Sequence, residues 1–572
     1  MYITINGKKI RVEADWTILK AANKAKIKIP TLCYHPDLKP SGRCGICVVE
    51  VDPSTGSGEP GKIMTSCNNL VRAGMVVKTK SPKVLQQRKT NVQLLGCNFE
   101  KEEEFRKWLK LENLPDVKEL RFKPKPSRKP DISSPAITID FEKCILCGRC
   151  IQKCRDTQSV NAICFSERAN AIKLDTSLGL DLDQTTCVQC GQCSVVCPTG
   201  AIKEHEHIDE VKAVLKDKTK HIVVQTAPSV RVAIGEEFGM PIGSLVTGKM
   251  VTALNKLGFD MVFDTNFGAD LTIMEEANEL LYRIKNKKPM PMFTSCCPAW
   301  VNFMEIFYPK YLKHLSSAKS PHQMFGAIVK SYYANKYKIK PQDIVVVSIM
   351  PCTAKKYEIQ RDGMACDGCL DVDYVLTTRG LAKLLKEKNI NLKKLKNSEF
   401  DMPLGLGSGG GAIFGTTGGV MESAIRTAYH ILTGREIKNI EYKDVRNSSG
   451  IKKTTLKVAG QKLNLGIVHG LANARKLMEE IKSGKADYDF VEVMACPGGC
   501  IGGGGQPKPT TKEIVKKRAN AIYQQDRILK YRQAHNNPQI QQLYNEYLGK
   551  PLGKKSHKLL HTKYKKHSTC RR

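Results

Sequence analysis

No run of about 18 consecutive apolar residues occurs in the 572-residue chain, so the sequence offers no membrane span. The first residues, MYITINGKKIRVEADWTILKAA, alternate like a strand and then turn helical. They lack the charged head, apolar stretch and small-residue cleavage site of a secretory signal, which points to a cytoplasmic protein. No helix-turn-helix, zinc-finger or RNA-binding motif is present, so nucleic-acid binding has nothing but charge behind it. The glycine runs Gly405–Gly411 and Gly415–Gly419 lack the G-x-x-x-x-G-K-[ST] continuation and an acidic ribose partner, so Ser408–Gly419 reads as backbone packed around a cavity. Acidic residues are the scarce charge: 56 Asp+Glu stand against 91 Lys+Arg, for a net +35. The basic residues are spread along the chain, which suits an acidic protein partner. Residues 81–135 hold one cysteine, Cys97, and no histidine.

What the chain does have is 22 cysteines. In a long chain without an export signal, thiols stay reduced and clustered cysteines act as metal ligands. Five segments follow. Residues 1–80 are a small strand-rich unit with four cysteines. Residues 81–135 are charged and helical, ending in the stiff basic linker Phe122–Pro130. Residues 136–208 repeat a cysteine run. Residues 209–507 alternate β-rich and helical patterns, an α/β core. Residues 508–572 form a basic, mostly helical tail. Its end, Lys550–Arg572, carries nine Lys/Arg and no Asp/Glu, and reads as solvated and partly disordered.

The repeat is the sharpest local signal. Cys144, Cys147, Cys150 and Cys154 have the spacing C-x2-C-x2-C-x3-C; Cys187, Cys190, Cys193 and Cys197 repeat it, with Pro198 following. In this bacterial two-cluster ferredoxin pattern, the fourth cysteine of each run ligates the other cluster. One [4Fe–4S] cluster is therefore assigned to Cys144, Cys147, Cys150 and Cys197, and a second to Cys187, Cys190, Cys193 and Cys154. The first run has Arg155 where proline is usual. Cys33, Cys44, Cys47 and Cys67 are similar to the plant-type [2Fe–2S] module found at the start of hydrogenases and of the large iron–sulfur subunit of respiratory complex I, with longer gaps between ligands. Structural zinc is the alternative for either set.

Three loops carry the remaining case: Thr294-Ser-Cys-Cys-Pro-Ala-Trp300, Met350-Pro-Cys-Thr-Ala-Lys-Lys-Tyr-Glu358, and Glu492-Val-Met-Ala-Cys-Pro-Gly-Gly-Cys500 with its glycine run to Gln506. Each follows an apolar β-like run, so the loops are expected to converge at the carboxyl ends of strands. Together they resemble the signature loops of [FeFe]-hydrogenases, and with the relay the resemblance covers nearly the whole chain. It implies a multidomain α+β and α/β fold: a plant-type ferredoxin β-grasp domain, a bacterial 2[4Fe–4S] ferredoxin domain and a two-lobed α/β catalytic domain. It further implies reversible H2 formation, with reduced ferredoxin as donor, at an H-cluster of a [4Fe–4S] cubane and a di-iron unit carrying CO, cyanide and a dithiolate bridge. Carried over by motif, Cys297, Cys352, Cys496 and Cys500 ligate the cubane, and Cys500 bridges to the di-iron unit. Cys296 becomes the proton donor, Lys355 a hydrogen-bond donor to cyanide, and Met350 and Met494 apolar packing.

Glu276, Glu279 and Arg283 share one face of a predicted helix. On pattern alone that is a solvated Glu–Arg face; the resemblance makes it a proton route of Cys296, a water, Glu276, Ser316, Glu279 and solvent near Arg283. Relatives often hold a further [4Fe–4S] cluster on one histidine and three cysteines between the first two modules. The lack of ligands in 81–135 predicts its absence here, leaving one [2Fe–2S] and two accessory [4Fe–4S] clusters. Implied partners are an acidic ferredoxin or similar carrier and the hydrogenase maturation enzymes. The rival readings are a cytosolic iron–sulfur assembly factor, an electron-transfer subunit of a larger assembly, and a sensory hydrogenase. Cys366 and Cys369 form an isolated C-x2-C, and Cys97, Cys164 and Cys570 have no assigned role.

Overall fold

The computed structural model describes residues 1–52, 61–96, 106, 109–110, 128–168, 171–366, 368–437, 441–442, 446, 450–458 and 460–567. Cys97, Cys570, residues 53–60 and residues 122–127 of the basic linker lie outside them.

Strands β1 (Tyr2–Ile5), β2 (Lys8–Arg11), β3 (Val48–Asp52), β4 (Lys62–Thr65) and β5 (Val76–Lys78) form one sheet in the order β2-β1-β5-β3-β4. Helix α1 (Ile18–Lys24) packs across it, started by Thr17, whose side chain accepts from the Lys20 amide. Helix α2 (Pro82–Gly96) is laid against β3 by Arg88, buried and donating to the Ile46 and Val48 carbonyls. The cysteine repeat folds around two small two-stranded antiparallel sheets. Strands β6 (Ile137–Ile139) and β9 (Ile202–Glu204) pair, as do β7 (Ile163–Ser166) and β8 (Lys173–Thr176). Arg128, the last arginine of the basic stretch, pairs with Asp175 and lies over the Phe141 ring.

The catalytic region has two lobes. In the first, β10 (His221–Thr226), β11 (Met261–Asp264), β13 (Ile344–Met350) and β16 (Tyr374–Thr377) run parallel in the order β11-β10-β13-β16. The run IVVVSIM of β13 is buried nearly throughout, as a central parallel strand covered on both faces must be. A short ribbon, β14 (Ala365–Cys366) and β15 (Cys369–Leu370), precedes β16. The second lobe holds β12 (Met292–Phe293), β17 (Ile451–Val458), β18 (Gln461–His469) and β19 (Phe490–Met494), in the order β12-β19-β18-β17. Between the lobes runs helix α3 (Thr265–Lys285), capped by Asp264 and buried on most of its surface, charged residues included. Helices α4 (Pro298–Phe307) and α5 (Gly419–Thr433) follow in the chain.

The solvated, partly disordered end expected for Lys550–Arg572 is corrected by the structure over its described residues. Helix α6 (Lys512–Ile528) starts the C-terminal segment, and helix α7 (Lys554–Leu560) lies near its end. Ile540, Leu543, Tyr544, Leu559 and Leu560 are buried in the core of the first lobe. Short apolar pairs anchor the segment while its lysines stay outside. The density of lysine hides those anchors from a composition-based reading. Among the described residues no helix is long and apolar enough to cross a membrane.

Candidate functional site

The three cysteine loops leave the ends of β12, β13 and β19, and the parallel pairing of β12 with β19 brings two of those ends side by side. Cys296, Cys297, Cys352, Cys496 and Cys500 line one cavity between the lobes, with about 740 Å³ free of protein atoms. Met350 and Met494, each buried, and Lys355 line the same space. Pro298 starts α4 immediately after Cys297, so the loop turns into helix at the cavity wall.

Lys355 is buried and held from two sides. Its Nζ donates to Glu358 Oε2 at 2.8 Å and to the Cys296 carbonyl at 3.3 Å. An ammonium has three N–H donors, so one remains for the cavity. Glu358 also meets His322 Nε2 at 2.6 Å and accepts from Ser320 Oγ at 3.0 Å. Burial pushes the Glu358 carboxyl up, but Lys355 and His322 outweigh it and hold it down at about 2. The sequence reading gave Glu358 and His322 no role; their adjacency joins two separate helices, Pro321–Ile328 and Ala354–Glu358, and no single motif carries it.

On α3, Glu276 is fully buried and pushed up to about 8, chiefly by burial and then by the negative charge of Glu279. Ser316 Oγ donates to Glu279 Oε2 at 2.9 Å, and Ser295 Oγ approaches Glu276 Oε1 at 3.5 Å, so hydroxyls stand beside both carboxylates. Glu276 Oε2 has no protein partner. Arg283 Nη2 and Nε reach Glu279 Oε1 at 2.6 and 3.0 Å, and Nη2 also caps the Leu315 carbonyl. The face is thus not solvated, since Glu276, Glu279 and Arg283 are all buried. Ser317 adds a branch absent from the sequence reading. Its Oγ lies 2.8 Å from His561 Nδ1, and His561 Nε2 lies 3.0 Å from Glu275 Oε2.

The ferredoxin-like cysteines interleave. Cys144, Cys147, Cys150 and Cys197 line one small cavity, and Cys154, Cys187, Cys190 and Cys193 line another. Each set draws its fourth thiol from the opposite run. In the N-terminal unit, Cys33 and Cys44 approach each other, each amide 3.4 Å from the other's Sγ, and Cys47 lies within hydrogen-bonding reach of Cys67.

Electrostatic neighbours put the four centres in a row. Cys147, raised to about 11 first by burial, also feels Cys33. Cys150, raised by burial, also feels Cys193, and Cys496, raised by burial, feels Cys352, Cys297 and Cys190. The third and fourth thiol sets meet where the Thr353 side chain packs on the backbone of Gln189 and Gly191. Gly191 has φ +65°, and a Cβ there would sit 2.3 Å from Thr353 Oγ1; Thr353 in turn donates to the Gln189 carbonyl. Only glycine fits both the conformation and the approach.

This donor set fits iron–sulfur clusters. Burial disfavours ionised thiolates, which raises Cys297, Cys352, Cys496 and Cys500, Cys352 to about 12, and the neighbouring thiolates raise Cys352, Cys496 and Cys500 further. A cationic metal core removes both penalties.

Comparison with known proteins agrees. Residues 220–504 match the model "Iron only hydrogenase large subunit, C-terminal domain", and 512–567 match "Iron hydrogenase small subunit". Residues 1–82 match a 2Fe-2S iron-sulfur cluster binding domain and 180–203 a 4Fe-4S binding domain. The chain is 44% identical to NADP-reducing hydrogenase subunit HndD of Solidesulfovibrio fructosivorans, covering 98% of each chain. It is 42% identical to iron hydrogenase 1 of Clostridium pasteurianum, over 99% of this chain and 100% of that one. Apo [FeFe]-hydrogenase HydA1 from Chlamydomonas reinhardtii superposes with TM-score 0.57 and 44% identity, over 63% of this chain and 99% of that one.

Proposed function

The chain belongs to the iron-only hydrogenase family, and from that membership we propose how its residues divide the work. It is an oxidoreductase that forms and oxidises H2 at an H-cluster served by [2Fe–2S] and [4Fe–4S] domains. When bound, the H-cluster supplies the iron at which protons and electrons combine. Cys297, Cys352, Cys496 and Cys500 would hold its cubane, Cys500 serving the di-iron unit as well. Cys144, Cys147, Cys150 and Cys197 hold one relay cluster; Cys187, Cys190, Cys193 and Cys154 hold the next; Cys33, Cys44, Cys47 and Cys67 hold the [2Fe–2S] centre. No His-ligated cluster intervenes. The observation that carries this reading is the meeting of five cysteines from three loops around one cavity, beside the loop of a second thiol set.

Cys296 delivers protons at the cavity wall. Glu276, protonated below about 8, can give one up, because its unpartnered Oε2 leaves a place for a thiol or water. Ser316 relays between Glu276 and Glu279, and Arg283 fixes Glu279 where the route reaches solvent. Lys355, positioned by Glu358, would offer its remaining N–H to a cyanide of the cluster, while Met350 and Met494 keep the surroundings apolar.

The carrier is an acidic ferredoxin in the cytoplasm, drawn by the +35 chain. A second reading rests on the relative named as a subunit of an NADP-reducing hydrogenase: this chain would then pass electrons through partner subunits to a nicotinamide. Assaying the purified chain with reduced ferredoxin and with NADPH separates them. H2 from ferredoxin alone supports the first; H2 from NADPH only when partner subunits are added supports the second. The ligand assignment is tested by Cys197→Ala. Loss of the EPR signal of the cluster nearer the [2Fe–2S] centre supports the crossed ligation. Loss of the signal nearer the H-cluster contradicts it.

A further inference from the structure

Two cysteines of the catalytic region line none of the three thiol cavities. Cys366 and Cys369 face each other across the ribbon β14–β15, paired in register, with Asp-Gly between them in sequence and Gly368 at φ +85°. The register therefore sets the two Cα atoms directly opposite each other across the ribbon. Disulfides need about 4.4–6.8 Å between Cα atoms, and paired antiparallel residues sit at about 4.5–5.5 Å. Both side chains are half-buried, so solution reagents reach them.

The base of the hairpin is fixed. The Asp371 amide donates to the Met364 carbonyl at 3.1 Å, and Asp371 receives Lys319 Nζ at 2.7 Å in a fully buried ion pair. On the other side Arg361 grips Glu305 with two hydrogen bonds. A metal knuckle is the other use of C-x2-C. Among the described residues, however, the one His/Cys/Asp/Glu group spaced for an ion is His430, Glu436 and His535, elsewhere in the fold.

We propose that Cys366 and Cys369 form a thiol-modification site, a dithiol that closes to an intramolecular disulfide by exchange with a small disulfide such as oxidised glutathione. One thiolate attacks the glutathione S–S bond and expels a glutathione thiolate, leaving a mixed disulfide. The second cysteine then attacks the protein sulfur and expels the second glutathione. Two electrons pass to the oxidised glutathione, which leaves as two reduced molecules, and the two cysteine protons pass to water or to those thiolates. The folded hairpin holds the second thiol in place, so closure outruns capture of a second glutathione.

The sequence makes the test clean. Trypsin cleaving after Arg361 and Arg379 releases residues 362–379, which contain both cysteines and no other. The anaerobic holoenzyme is incubated in buffers from all-reduced to all-oxidised glutathione, acid-quenched, alkylated and digested. The expected result is a peptide lighter by two hydrogens and blocked to alkylation, rising with the oxidised fraction and reversed by reduced glutathione. Cys369→Ser should instead stop at a mixed disulfide on Cys366. Two alkylated thiols in oxidised glutathione alone, or two stable mixed disulfides in the wild type, would overturn the proposal.

Discussion

Cys296 and Glu276 carry the most specific claims at the residue scale. Cys296 lies in the cavity wall beside Cys297, and Glu276 is buried with one oxygen unpartnered. Removing a positioned proton donor typically costs about 10²–10⁴-fold in rate. Cys296→Ala should therefore lower H2 turnover by at least about 10²-fold while the infrared bands of the CO and cyanide ligands persist; activity within a few-fold of wild type would remove Cys296 from the route. Glu276→Gln has a second readout. The Glu276 pKa is raised from 4.5 to about 8 in the folded chain, so the unfolded state releases its proton first as pH rises. Stability from this group is thus lost between about 4.5 and about 8, and the neutral glutamine escapes that loss. The melting temperature of Glu276→Gln should gain on wild type across that window and run parallel above it. A constant offset would mean that folding does not raise the Glu276 pKa. The thiol ligands were readable because their spacing is a local property of the chain. Glu358 with His322, and His561 with Glu275, were not, since those partners are 36 and 286 residues apart and no periodicity links them.

At the scale of elements, the parallel strands place the chemistry. β12, β13 and β19 each end at a cysteine loop, and the apolar runs before those loops announced the arrangement in the sequence. The short C-terminal helix α7 was not readable in this way. Its two leucines sit among lysines, and only the packing against the first lobe reveals them as core. Leu560 is fully buried, so Leu560→Ala should cost about 2–5 kcal/mol, measured as a lower denaturant midpoint. A loss below about 0.5 kcal/mol, the range of ordinary surface substitutions, would return the segment to a solvated tail. The same packing rules out deleting this segment to test electrostatics, because truncation would expose the first lobe's core and the buried His561–Glu275 pair.

For the whole molecule, the proposed relay and its acidic carrier make charge and the order of the thiol sets the features to test. The thiol sets follow one another from Cys33 through Cys147 and Cys150, Cys193 and Cys190 to Cys496. Steering of an acidic carrier by a +35 chain raises association by about 10–10³-fold and weakens as salt shortens the screening length from about 30 Å at 0.01 M to about 10 Å at 0.1 M. At sub-saturating ferredoxin the rate should fall with salt, whereas the rate with a cationic viologen should not. Reversing the exposed Lys550 and Lys554 to glutamate should flatten the ferredoxin slope if the C-terminal face is the docking site; an unchanged slope moves docking to another face. The central claim is tested most directly by H2 evolution from reduced viologen, on chain produced with its maturation enzymes and assayed for iron in the same sample. Three accessory clusters and an H-cluster amount to about 16 iron atoms per chain. The account predicts H2 from protein at that content. Protein carrying about 16 iron atoms per chain that evolves no H2, or active protein carrying about 20, would contradict it.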